Sequence, residues 1–150
     1  MATQLQAGPV AHAQGVELTI VKPADLYDPA PNGYSHAVLA EGADRIAFIA
    51  GQTGEDSTGT LSHRFADQLR QSYANLRTAL EATGAEPGQV ARITTYVVDY
   101  DPSMLPLMAQ EVRAMFGDRL PAQTLVPVPR LALDGVLFEV DAIAVLGRDR

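Results

Sequence analysis

A chain of 150 residues, 47% apolar and 19% charged, has the size and composition of one globular domain and is not a disordered acidic chain. It contains no cysteine, which excludes disulfides, thiolate nucleophiles and Cys-ligated metals. A net charge of −7 argues against nucleic acid as a partner, because phosphate-binding surfaces are basic.

Residues 1–15 are rich in Ala, Gln and Gly without periodicity, and read as a disordered tail before a single domain over 16–150. The tail lacks the basic start and apolar core of a signal peptide. No apolar run approaches the ~18 residues of a membrane-spanning helix. The expectation is a soluble cytoplasmic protein without a membrane partner.

Val16–Val21 reads as a first strand. Lys22–Gly33 carries Pro23, Pro29 and Pro31 and ends in Asn32-Gly33, so it reads as a long loop. Long ordered loops tend to be functional or to pack over something. Ser35–Glu41 and Arg45–Ala50 are two apolar runs separated by Gly42-Ala43-Asp44, a spacing that predicts a hairpin. Gly51–Gly59 is a glycine-rich loop.

Ser62–Thr83 is the clearest helix. Phe65, Leu69, Tyr73, Leu76 and Leu80 form one apolar stripe, and Gly84 is suited to end it in a left-handed conformation. Val90–Asp99 is dense in β-branched residues and reads as a strand. Asp101-Pro102 places an N-cap beside a proline in the first turn of a helix that runs to Phe116, with Gly117 as its stop. Gln123–Val128 and Val136–Leu146 complete a six-strand, two-helix α+β pattern. Two helices cover one face of a mixed six-stranded sheet. The other face has apolar positions and no cover from this chain, which predicts an oligomer.

Glu139 and Asp141 are two apart in the last strand and share a face. Carboxylates in so apolar a segment either acquire raised pKa values suited to acid–base work or meet solvent or an arginine across an interface. His12, His36 and His63 have no ligand spacing, so no metal site is expected. No nucleophile-elbow, phosphate-loop or dinucleotide fingerprint occurs, and no cofactor is expected. Gly51-Gln52-Thr53-Gly54 has a GxxG spacing, but the acidic Glu55-Asp56 follows it and would repel a nucleic-acid backbone.

Taken in order, Gly33-Tyr34-Ser35, the IAGQTG segment at 49–54, the QLRQSYANLRTALEATGA helix, the VARITTYVVD strand, Pro121-Ala122 and the terminal FEVDAIAV resemble the RidA/YjgF family, also called the enamine/imine deaminase or L-PSP family. The resemblance covers Gly33–Val145. It implies a chorismate-mutase-like subunit, a homotrimer with a barrel-like centre, and clefts between neighbours that hydrolyse small enamines and imines. It implies that Glu139 serves the catalytic water, that Tyr34 and position 123 hold substrate, and that Gly51 contributes backbone donors. The family's substrate-clamping arginine follows the Pro-Ala pair; here Gln123 stands there. A glutamine offers a neutral bond where the arginine offers a bidentate charged one. Ala50 and Ala109 likewise replace a hydroxyl residue and an asparagine common in the deaminases. The resemblance therefore implies a small-molecule hydrolase of altered specificity, or alternatively a non-catalytic trimer that binds a metabolite or protein.

Deleting residues 1–15 is expected to change the melting temperature by no more than a few degrees. Thermal unfolding of the truncated chain checks this.

Overall fold

A computed structural model describes residues 15–148; the tail expected over 1–15 lies outside the described residues except for Gly15. Strands β1 (Glu17–Val21) and β2 (Ala37–Glu41) pair antiparallel, with Thr19 opposite Leu39. Strands β3 (Arg45–Gln52), β4 (Val90–Val98), β5 (Ala122–Val128) and β6 (Phe138–Leu146) form a mixed sheet in the order β3-β6-β4-β5. Helices α1 (Phe65–Ala82) and α2 (Leu105–Phe116) pack against it.

The hairpin expected between 35–41 and 45–50 does not form. β2 pairs with β1 and β3 pairs with β6, so Gly42-Ala43-Asp44 passes the chain from one sheet to the other. Gly42 has φ +69, and a Cβ there would lie 2.9 Å from the Gly15 carbonyl oxygen. The Asp44 N–H donates to Leu146 O at 3.0 Å and commits the next residues to β6. Short spacing suggested local pairing; a long-range partner won.

The six strands also do not form one continuous sheet. The segment just before β2 joins the four-stranded sheet through an isolated parallel bridge, Ser35 with Ala122. There the Ser35 N–H donates to Pro121 O at 3.0 Å and its hydroxyl to Leu120 O at 2.6 Å. Further along β5, Pro127 has no N–H to extend a ladder at that edge.

Both helices serve one core, as the two apolar stripes require. Leu69, Tyr73, Leu76 and Leu80 of α1 and Met108, Val112, Met115 and Phe116 of α2 pack with Ile93, Val97, Phe138, Val140, Ala142 and Ala144. Gly84, at φ +77, ends α1, and Gly117, at φ +62, ends α2. Asp101 caps a short 3-10 turn at Pro102–Met104 by accepting from the Ser103 N–H at 2.9 Å, and α2 follows directly. Helix α1 begins at Phe65, three residues later than the stripe suggests, because Ser62 serves as a local anchor. Its carbonyl accepts from Gln68 Nε2 at 2.7 Å, and its hydroxyl accepts from the Arg64 N–H.

On the opposite face of the sheet lie Glu139, Asp141 and Ile143 of β6, Thr94 and Tyr96 of β4, and Ile46 and Phe48 of β3. Phe48 is 76% exposed and Ile46 56%. Neither helix packs on this face.

Gln68 is fully buried and ties three segments together. Besides Ser62 O, its Nε2 donates to Gly135 O at 2.8 Å, and its Oε1 accepts from the Leu137 N–H at 2.8 Å. Gln68→Leu is expected to cost about 2–5 kcal/mol, because buried backbone groups lose their partners. Denaturant unfolding checks the loss.

Candidate functional site

The 22–36 loop, α2 and the start of β5 enclose a cleft of about 370 Å³. The loop supplies Asn32 and Tyr34, α2 supplies Leu105, Met108, Ala109 and Val112, and β5 supplies Gln123, Thr124 and Leu125. Tyr100, just before α2, completes the wall.

Local chemistry explains why these pieces meet. The Ser35 bonds to Leu120 O and Pro121 O bring Tyr34 beside the start of β5. Arg113 Nη2 of α2 donates to the Ala30 carbonyl and holds the loop down. Gly33, at φ +83, approaches the same helix so closely that a Cβ would lie 3.0 Å from Ala109 Cα. Only glycine accommodates both the conformation and the contact.

Tyr34 belongs to an aromatic cluster. Its hydroxyl is hydrogen-bonded to the Tyr27 hydroxyl, and the His36 ring lies edge-on to both, with centroids 5.1 Å from Tyr27 and 5.6 Å from Tyr34. His36 Nε2 is 2.8 Å from Tyr27 O. The bond to Tyr27, reinforced by burial and by the Tyr27 charge, pushes the Tyr34 pKa up to about 12. Tyr34 is therefore a neutral phenol at physiological pH and acts as a hydrogen-bonding group. Gln123 reaches into the cleft from β5. Its Nε2 donates to Thr95 Oγ1 at 3.2 Å, and its Oε1 is buried without a partner.

The other two expected site residues form a separate pair. Gly51 sits against Glu139 so closely that a Cβ at Gly51 would lie 1.7 Å from Glu139 Oε1. Glu139 lies opposite Tyr96 on the uncovered face, whereas Gln123 bonds to Thr95 on the helix-covered face. Tyr34 and Gln123 thus share a cleft, Gly51 and Glu139 share the opposite face, and one chain does not bring the pairs together.

Asp141 is tied down beside Glu139. It accepts from the Thr94 N–H at 3.1 Å and from the Tyr96 hydroxyl at 3.3 Å. Asn75 of α1 donates to Thr53 O and Glu55 O, each at 2.8 Å, and so places the Glu55 segment. Burial raises the Glu139 pKa, and the charges of Asp141 and Glu55 raise it further. Such a carboxylate is a stronger base than a solvated one.

Sequence reasoning missed Tyr27, whose only signal was its place in a long proline-rich loop. It also missed Tyr100, Asn32 and the contribution of Glu55. Arg130 pairs with Asp134 at 2.9 Å on the surface. Among the described residues, no group of three or more His, Asp or Glu is placed to hold a metal ion, and no helix is long and apolar enough to cross a membrane.

The profile of the family described as Endoribonuclease L-PSP matches residues 27–146. The chain belongs to the RidA/YjgF (L-PSP) family. It is 37% identical over 123 residues to a RutC family protein of Pyrococcus horikoshii, covering 77% of this chain and 90% of the relative. It is 33% identical over 104 residues to the 2-iminobutanoate/2-iminopropanoate deaminase of Salmonella typhimurium, covering 67% of this chain and 79% of that one. The crystal structure of YyfB, a conserved Rid family protein of Yersinia pestis, superposes with a TM-score of 0.82 at 33% identity, covering 86% of this chain and 98% of that one. The RidA/YjgF fold expected from the ordered motifs is therefore the fold of this chain.

Because its raised pKa reflects a penalty on the charged form, Glu139 weakens folding as pH rises through the carboxylate range. Glu139→Gln should therefore melt higher than the unaltered protein at neutral pH, and the difference should shrink as pH falls below that range. Thermal scans across pH check the sign. Gly51→Ala should displace the Glu139 carboxylate, visible as a shift in its titration by NMR.

Proposed function

We propose that this RidA/YjgF protein hydrolyses a small neutral imine, enamine or amide-like metabolite at clefts between the subunits of a homotrimer. The observation that carries the reading is the division of the site residues. Tyr34 and Gln123 line a cleft with no carboxylate among its lining residues, and Glu139, packed against Gly51, stands on the face that neither helix covers. A second copy laid on that face supplies what each half lacks. Its apolar share, Phe48 and Ile46, gives the copies a reason to associate.

In this reading Tyr34 and Gln123 position the ligand in one subunit. Glu139 of the neighbouring copy takes a proton from water as the oxygen adds to the C=N carbon, and passes that proton to the nitrogen. Collapse of the resulting carbinolamine forms C=O and releases ammonia or an amine. The Salmonella relative's name states deamination of 2-imino acids. With Gln123 in place of the family's arginine, an anionic substrate of that kind lacks a charged clamp and is handled weakly. RNA cleavage fits poorly, because Glu139, Asp141 and Glu55 together would repel phosphate.

A non-catalytic trimer that binds a metabolite or protein is the second reading. It is favoured by Gln123, Ala50 and Ala109, which stand where the family's deaminases carry an arginine, a hydroxyl residue and an asparagine. Turnover of a 2-imino acid generated in situ decides between them, with wild type compared against Gln123→Arg. Restoring the guanidinium should raise activity about ten- to a hundredfold. Wild-type activity equal to that of an efficient deaminase would contradict the role given to Gln123. Inert wild type and variant, on the imino acid and on neutral imines alike, would favour the non-catalytic reading.

A further inference from the structure

The chemistry of the cleft wall says more about its ligand than the hydrolase reading does. None of the ten residues that line the cleft is charged. Its polar lining is Asn32, Tyr34, Gln123 and Thr124; the rest is formed largely by Leu105, Met108, Val112, Leu125 and Tyr100. The volume of about 370 Å³ holds roughly a dozen water-sized groups at about 30 Å³ each. A three-carbon imino acid has six non-hydrogen atoms and fills about half of it. An apolar wall left wet beside a bound polar ligand contributes nothing to affinity, whereas a ligand with an apolar group of matching size gains from its burial.

The polar part of the lining is equally selective. With one Nε2 hydrogen engaged by Thr95, Gln123 keeps its second N–H and its unpartnered, buried Oε1, an acceptor. An acceptor calls for an N–H or O–H donor on the ligand. A carboxylate could take the second N–H but would leave Oε1 facing further lone pairs, with no cation on this subunit's cleft wall to offset its desolvation.

We propose that the cleft binds a neutral ligand in which an N–H-bearing amide or imine head lies against Gln123 and Tyr34 and an aryl or branched-alkyl group lies along Leu105, Met108, Val112 and Leu125. The inference rests on this cleft being the ligand site of the hydrolase reading, and it adds the side group that the ligand must carry.

Calorimetric titration of the intact protein with three probes tests it. Phenylacetamide has both features, acetamide lacks the ring, and phenylacetate replaces the amide with a carboxylate. Phenylacetamide should bind about ten- to a hundredfold more tightly than acetamide, as expected for burying one ring. It should also bind at least about tenfold more tightly than phenylacetate. Leu105 is only half-buried and opens α2, where an acidic residue is tolerated, so Leu105→Glu should fold normally. That variant should lose the preference for the ring while acetamide binding changes little. Gln123→Leu should lose the preference for the amide over the carboxylate. Equal affinity for acetamide and phenylacetamide, a preference for phenylacetate, or ring selectivity that survives Leu105→Glu would each overturn the proposal. Because the readout is binding, its failure is separable from that of the hydrolase reading. A protein that binds phenylacetamide as described but turns over no C=N compound loses only the hydrolysis. One that turns over small imines without apolar selectivity loses only this inference.

Discussion

Strand β6 runs between β3 and β4, and the alternation of its side chains decides where the chemistry of the chain lies. Phe138, Val140, Ala142 and Ala144 point into the helix-covered core and are almost completely buried. Glu139, Asp141 and Ile143 must then point the other way. A register slip of one residue would bury two carboxylates under α1 and expose Phe138. The large hydrophobic cost of that exchange locks the register, and with it the position of Glu139 on the uncovered face. Core packing thus fixes an acid far from any packing role.

Several other features serve that arrangement. Gly51 leaves room for the Glu139 carboxylate, and Asp141 is held by Thr94 and Tyr96 so that its charge stays beside it. Asn75 reaches from α1 to fix the segment that carries Glu55. On the helix-covered side, Ser35, Arg113 and Gly33 draw the long loop onto β5 and α2 and form the cleft around Gln123. Its two sets of residues lie on opposite faces of one chain. The acidic set also carries unfavourable electrostatics, and a carboxylate held under such strain is suited to accepting a proton.

Much of this was legible in the sequence where the signal is local. The stripe from Phe65 to Leu80, the stops at Gly84 and Gly117 and the Asp101 cap each follow from neighbours within a few residues, and all appear in the structure. The shared face of Glu139 and Asp141 follows from strand periodicity alone. Pairing was not legible in the same way. The 35–41 and 45–50 runs look like a hairpin because sequence spacing favours local partners, but β3 finds β6 about a hundred residues away. Tyr27 carried no pattern at all. Its role depends on a loop whose path is set by Ser35 and Arg113, and neither bond is visible without the fold. The motif order identified the family, whereas the separation of Gln123 from Glu139 emerged only from the register of β4 with both neighbours.

The central claim is that a second copy covers the face bearing Phe48 and Glu139. Sedimentation equilibrium of the intact chain, beside Phe48→Asp, tests it most directly. The account predicts a species of three times the chain mass at micromolar concentration, and its dissociation when a charge replaces the exposed ring. A stable monomer, or a trimer indifferent to Phe48→Asp, would contradict it.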